Sequence, residues 1–201
     1  MNLYKEYNFN FDIDLLKKEV LKIISNTKNV HKQWALQYSK IPGYYNDVDL
    51  GYGSGSREEN KITNWNGELE NSYIKECVYK VHPNPSNTRI MLLNLGQCYP
   101  THVDGYRSRY QIPVFTVPPL DYFAFPKDKV IFSMYPGKAY WVNTHAYHSY
   151  VNGVEAPRIN IIFNDAADEF DETPQQTLEH KNIKNTEKEH RDMINEVHHH
   201  G

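Results

Sequence analysis

The sequence predicts a mainly β domain, a sandwich or barrel of short strands preceded by one helix, and three observations carry that reading. Seven short apolar or alternating runs recur: Ile74–Val81, Arg89–Leu95, Tyr110–Val117, Tyr122–Phe125, Val130–Met134, Ala139–Val142 and Ile159–Phe163. Turn-forming stretches punctuate them, namely HPNPSN, VPP, PKD, YPG and NGVEAP. No helical pattern separates the runs, which disfavours a parallel α/β sheet.

The remaining segments read in chain order. Over residues 12–25, Ile13, Leu16, Val20, Ile23 and Ile24 recur at helical spacing with lysines between them, and Asp12 or Asp14 can cap the start. From Ile41 to Gly67 the pattern is lost. PGYYNDVDLGYGSGSREEN (Pro42–Asn60) reads as a long loop, either a lid over a site or a flexible tether. Its Tyr44, Tyr45 and Tyr52 either line a substrate pocket or pack under the loop. The glycines at 51, 53 and 55 lack the preceding strand and the spacing of a nucleotide loop. After Asn164 the chain turns polar, and residues 165–201 are expected to form a surface helix or tail, with His198–His200 a tag remnant or polar end. The expected organisation is a single domain over 1–164, its β core spanning about 70–164, followed by the tail.

Composition bounds the function. With 201 residues, 39% hydrophobic content and 16 tyrosines, the chain can bury a real core, which argues against global disorder. A net charge of −3 gives no general pull toward nucleic acid or an anionic membrane, so neither is an expected partner. No apolar run approaches the roughly 18 residues a membrane helix needs, and MNLYKEYNFNFD has no apolar signal core. Two distant cysteines, Cys77 and Cys98, suggest a reducing cytoplasm without a disulfide framework.

The chemistry gathers at Thr101-His102-Val103-Asp104-Gly105. His102 and Asp104 are two apart, which in extended chain puts an imidazole and a carboxylate on one face. That is two-thirds of a facial metal triad, and His148, in NTHAYHS, is the natural third ligand. Two histidines and one carboxylate hold Fe(II) from one side and leave the opposite positions open. Arg158 follows His148 by ten residues and opens the apolar strand Ile159–Phe163. A core strand gains nothing from an inward arginine, whereas a pocket for a dicarboxylate gains a bidentate grip.

His-x-Asp, then His, then Arg ten residues on resembles the 2-oxoglutarate/Fe(II) dioxygenases, and more closely their aspartyl/asparaginyl β-hydroxylase-like branch. HVDGYRSRYQIPVFT is similar to that branch's first-ligand strand, and GKAYWVNTHAYHSYVNGVEAPRINIIF to its second half. The likeness covers about Arg89–Asn164. It implies a double-stranded β-helix (a cupin-like jelly roll), with His102, Asp104 and His148 as iron ligands. It also implies that Arg158 binds the far carboxylate of 2-oxoglutarate and that Arg109 helps hold this cosubstrate. Gln111 stands where the branch often has a histidine. The implied reaction consumes O2 and 2-oxoglutarate and hydroxylates an amino acid, an Asp or Asn side chain of a protein, or another small metabolite. Related halogenases replace the carboxylate ligand with a small residue, so the retained Asp104 points to hydroxylation.

Alternatives stand beside these assignments. His145 competes with His148 as distal ligand, but the ten-residue spacing to Arg158 and the resemblance favour His148, leaving His145 at the pocket rim or in a structural role. Arg158 could form a surface ion pair. Arg107 and Arg109 could be solvated charges on one face. Cys98, four residues before His102, is expected to be a small buried hydrophobe, and Asn143 or Ser149 could orient the ligands. A cupin-like isomerase or hydrolase using another divalent metal would show a similar ligand set without needing Arg158. A metal-free binding module would not need the triad.

Overall fold

A computed structural model of the chain describes residues 2–27, 32–39, 43 and 59–170. The described residues belong to one compact unit ending at Phe170. Most of the loop Pro42–Asn60, with Tyr44, Tyr45, Tyr52 and Gly51–Ser56, lies outside them, as do residues 171–201 of the tail. No described helix is long and apolar enough to cross a membrane.

Two helices form where apolar residues recur at helical spacing. Helix α1 (Ile13–Asn26) starts at Asp12, whose carboxylate accepts the Leu15 N–H at 3.0 Å, and it buries Leu16, Val20 and Ile23. Helix α2 (Tyr73–Val81) corrects the expected strand Ile74–Val81. Its buried residues Ile74, Cys77 and Val78 sit at i, i+3 and i+4, a helical rather than an alternating period. Ser72 caps it through the Lys75 N–H, and the Glu19 carboxylate on α1 accepts from Tyr73 and Ile74 N–H.

The strands are β1 (Tyr4–Tyr7), β2 (Gln33–Ala35), β3 (Gln37–Tyr38), β4 (Asn64–Trp65), β5 (Pro85–Leu93), β6 (Cys98–His102), β7 (Ser108–Phe115), β8 (Asp121–Phe125), β9 (Val130–Phe132), β10 (Ala139–Asn143), β11 (His148–Asn152) and β12 (Arg158–Asp165). Six of the expected runs fall on β5, β7, β8, β9, β10 and β12. The short edge strands and the two site strands, β6 and β11, carry too few apolar residues to stand out in the sequence.

A six-stranded sheet has the order β1-β10-β7-β12-β5-β2 and a four-stranded sheet the order β6-β11-β8-β9, while β3 and β4 pair separately. Every pairing is antiparallel. From β5 to β12 the chain passes between the two larger sheets and returns, which is the winding of a double-stranded β-helix. The two helices cover the outer face of the six-stranded sheet, over Ile90, Ile112, Ile161 and Phe163. Between the sheets, Phe123, Phe125, Phe132 and Met134 meet Tyr140 and Val142. This inner cluster closes one part of the barrel and leaves the rest as a cavity.

Candidate metal centre and its cavity

His102 ends β6 and His148 begins β11, and the two are register partners in the four-stranded sheet. Their ring centroids are 4.3 Å apart. Asp104 follows His102 by two residues, with its Oδ1 3.4 Å from His102 Nε2. One ligand-capable atom from each of His102, Asp104 and His148 lies within 4.8 Å of the others. The structure therefore brings together the three residues singled out in the sequence as a ligand set.

Backbone contacts fix this arrangement. Asp104 N–H donates to the Thr144 carbonyl at 2.8 Å, and the Thr144 hydroxyl donates to the Tyr106 carbonyl at 2.8 Å. The loop bearing Asp104 is thus tied to the turn that delivers His148. His145 sets its Nδ1 3.3 Å from the Asp104 carbonyl and belongs to this tie, not to the cavity lining. Gly105 lies directly under the Phe170 ring, where a Cβ would displace that side chain. Phe170 meets Tyr106 edge-on, and nearby Asp168 accepts the Ser108 N–H at 2.8 Å.

Neither Asn143 nor Ser149 orients a ligand imidazole. Asn143 accepts from His145 N–H and Ser149 donates to the Tyr99 carbonyl. Backbone carbonyls do that work instead: Pro100 O lies 2.7 Å from His102 Nδ1, and Ala146 O 3.0 Å from His148 Nδ1. A carbonyl can only accept, so His148 carries a proton on Nδ1 and leaves Nε2 for a metal, while His102 Nε2 faces the Asp104 carboxylate, a contact that a metal between them would replace.

The titrations of the three groups are coupled through Asp104. Burial pushes His148 down to about 4, against the pull of Asp104, so the imidazole is neutral at physiological pH. Burial also works to lower His102, but the hydrogen bond and charge of Asp104 outweigh it and hold the ring above its ordinary value. Burial works to raise Asp104, and Arg109 and His102 overcome it, keeping the carboxyl well below the usual carboxylate range. The three groups thus present one fixed negative charge and two imidazoles.

A cavity of about 130 Å³ opens beside them. Arg158 lines it at 1% exposure, so the surface ion pair considered for this residue does not form. Its guanidinium lies 3.3 Å over the Tyr150 ring, and its Nε is 3.8 Å from Asp121 Oδ1, too far for a hydrogen bond. None of its three nitrogens has a hydrogen-bond partner among the described residues. Burial pushes its pKa down, with Asp121 offsetting part of this; a guanidinium nonetheless stays charged at neutral pH. A buried cation with idle donors facing a cavity calls for an anion.

Arg109 is buried, lines the same cavity, and donates from Nη2 to Asp104 Oδ2 at 2.9 Å. Arg107 is exposed, so the two do not share one face as the alternation suggested. Gln111 Oε1 accepts from Asn160 Nδ2 at 2.7 Å, and the same nitrogen donates to the Tyr150 hydroxyl at 2.8 Å. Cys98 is exposed on the edge strand β6, which corrects the buried position expected for it. Sequence reading missed Tyr150, Asn160 and Asp121. The first two are legible in hindsight, since each lies two residues after a singled-out residue on its strand, His148 and Arg158, and so shares its face.

Comparison with known proteins places the fold. No protein-family model and no curated protein matches the sequence. Solved structures of one architecture do match. The viral collagen prolyl hydroxylase vCPH of Paramecium Bursaria Chlorella virus-1, solved as a 2-oxoglutarate complex, aligns with a TM-score of 0.50 at 11% identity, over 81% of this chain and 95% of its own. AviO1 from Streptomyces viridochromogenes Tue57 aligns with a TM-score of 0.51 at 12% identity, over 85% of this chain and 93% of its own. At such identity the likeness is one of fold, and it is the jelly roll of the 2-oxoglutarate oxygenases.

Proposed function

We propose that the protein is a non-haem Fe(II)- and 2-oxoglutarate-dependent oxygenase that hydroxylates a C–H bond of an amino acid, a peptide side chain such as Asp or Asn, or another small metabolite. His102, Asp104 and His148 hold the iron, and Arg158 grips the far carboxylate of 2-oxoglutarate. The observation that carries this reading is the guanidinium of Arg158, buried and without a hydrogen bond to the described residues, in the same cavity as a two-histidine, one-carboxylate set. That donor set suits Fe(II) and leaves positions open for further ligands. A cupin-like isomerase or hydrolase could use the same ligands but gives Arg158 no task. The vCPH fold neighbour, solved with 2-oxoglutarate, adds support. The two segments similar to the aspartyl/asparaginyl β-hydroxylase-like branch make that branch the preferred affiliation.

Bound iron would supply O2 activation, with 2-oxoglutarate leaving as succinate and CO2 while one oxygen atom enters the substrate. The chain's own residues bind, orient and exclude water. Arg109 occupies one Asp104 oxygen and so directs the other toward the metal; lining the cavity, it also stands ready for the cosubstrate. Tyr150 accepts from Asn160, which leaves its own O–H free to donate to the carboxylate held by Arg158. Phe123 stacks on His148 with ring centroids 5.5 Å apart and walls the ligand off from solvent.

The test is succinate release. Protein reconstituted with Fe(II) is expected to convert 2-oxoglutarate to succinate only when O2 is present. Failure of the metal-loaded protein to bind 2-oxoglutarate, or turnover indifferent to O2, would sink the reading.

A further inference from the structure

Strand β12 ends at Asp165, and a turn follows. In it Asp165 Oδ1 accepts the Ala167 N–H at 2.9 Å, and the Asp165 carbonyl accepts the Asp168 N–H at 3.1 Å. The Ala166 N–H donates to the Asn84 carbonyl at 2.9 Å, which fastens the turn to the chain entering β5. Continuing the register that pairs Phe163 with Tyr110 brings Asp165 opposite Ser108, where β7 begins. The turn therefore sends residues 166–170 across the loop that joins β6 to β7, and that loop carries Asp104.

Two contacts hold the loop from this side. Asp168 Oδ2 accepts the Ser108 N–H at 2.8 Å, at the loop's end. The half-buried Phe170 ring covers Gly105, the residue after Asp104. The same ring meets fully buried Tyr106 edge-on, with ring centroids 5.5 Å apart. From the other side Thr144 ties the same peptides through the Tyr106 carbonyl and the Asp104 N–H. The loop is thus held between the turn that delivers His148 and the chain that leaves β12. Neither Asp168 nor Phe170 lines the cavity, so both act on the site only through the loop. Ordering a loop costs conformational entropy, and contacts on both of its sides give the carboxylate it carries one position.

We infer that Asp168 and Phe170 form a clasp that fixes the Asp104 loop, which makes Phe170 a positioning residue for the carboxylate ligand of the metal. This rests on the reading of His102, Asp104 and His148 as the iron ligands.

The test follows Co(II) binding to the full chain by visible absorption, with denaturant unfolding of the metal-free protein alongside. Phe170→Ala should weaken Co(II) binding by about tenfold or more and change the Co(II) spectrum, as loss of a group supporting a metal ligand does. Gly105→Ala should do the same. Gly105 is not in the left-handed region, so the backbone accepts alanine, and what the new Cβ meets is the Phe170 ring. In the Phe170→Ala background Gly105→Ala should add no more than about twofold, since both act through one contact. Asp168→Ala should weaken Co(II) by about threefold or more, and Asp168→Asn, which keeps an oxygen to accept the Ser108 N–H, should restore most of it. The Asp168 pair decides the matter if Phe170→Ala does not fold. Variants that lose stability while Co(II) affinity and spectrum stay as in wild type overturn the clasp, because its role is then structural alone. So do full additivity of Gly105→Ala and Phe170→Ala, and an Asp168→Asn as damaging as Asp168→Ala. Wild type that binds no Co(II) would instead overturn the metal centre and the oxygenase reading with it.

Discussion

Strands β5, β7 and β12 build two unlike regions with their two faces. Outward, Ile90, Tyr110, Ile112, Ile159, Ile161 and Phe163 pack into the core under the helices. Inward, alternating with them, stand Arg89, Met91, Arg109, Gln111, Arg158 and Asn160. The outer face is complete in itself, each large apolar side chain contributing about 1.5–3 kcal/mol by leaving water. The inner face is incomplete: the three guanidinium nitrogens of Arg158 and Asn160 Oδ1 have no hydrogen-bond partner among the described residues. An idle buried polar atom costs about 1–3 kcal/mol. The outer face thus supplies stability, while the unmet donors of Arg158 mark the inner face as the place for chemistry.

The largest effect should come from the inner face. Asp104→Ala removes the anionic member of the ligand set and leaves Arg109 facing a vacant place, so 2-oxoglutarate turnover should fall to background and Fe(II) affinity should drop. His148→Ala should do the same, while His145→Ala should be mild because His145 does not line the cavity. Succinate release and metal titration of the three variants check the order. Near-normal turnover in His148→Ala alongside loss in His145→Ala would move the distal ligand.

Arg158→Met comes next. Loss of a buried carboxylate partner costs about 2–5 kcal/mol, so 2-oxoglutarate affinity should fall by roughly one and a half to three and a half decades with iron binding retained. The ligand-free variant should also be less stable, because Asp121, fully buried, loses its only nearby cation among the described residues. The double variant Arg158→Met/Asp121→Asn should melt at or above wild type, since replacing both members of a buried pair is neutral or stabilising. A double variant no more stable than the single would mean that Arg158 serves the fold rather than a ligand.

The sequence made this division partly legible. Strands buried on one face and lining a cavity on the other show as apolar runs with single polar residues, which is why Arg158 stands out in the sequence, whereas Arg109 is picked out only through the resemblance. Arg89 does not stand out, because it lies within a stretch of polar residues, PSNTR, where one more cation carries no signal. The winding of β5–β12 was available only through resemblance, since periodicity reports faces and not partners. The helix over Tyr73–Val81 was readable from Ser72 and the spacing of Ile74, Cys77 and Val78, but β-branched residues make short apolar runs ambiguous. The exposure of Cys98 was not readable, because it depends on β6 being an edge strand.

A smaller effect is expected from the outer face. Ile161→Val removes one methylene from a fully buried position and should lower stability by about 0.5–1.5 kcal/mol. The Michaelis constant for 2-oxoglutarate should not move, although Ile161 is next to Asn160 in sequence. Denaturant unfolding and succinate kinetics on one preparation separate the two readouts. A changed Michaelis constant would show that the faces are coupled through the strand.

The smallest effect concerns the two thiols, one in each region. Cys77 sits in α2 at 0% exposure against the outer core, and burial pushes its pKa up to about 12. Cys98 is exposed on β6, beside the cavity. The thiolate is the reactive form, so iodoacetamide at mildly alkaline pH should label Cys98 quickly and Cys77 only when the outer face opens. The same shift has a sign in stability. The folded state holds the Cys77 proton to about pH 12, whereas the unfolded chain releases it near 9. Folded-state proton binding then exceeds unfolded, so this contribution is intact below pH 9 and is lost progressively from 9 toward 12. Cys77→Val should therefore lose less stability than wild type between pH 9 and 11. Zn(II) and 2-oxoglutarate should slow Cys77 labelling only as far as they stabilise the whole domain, because they touch nothing on that face. If Cys77 reacts as fast as Cys98 in the native protein, the outer face is not the closed core described, and the contrast between the two faces fails at its more stable half.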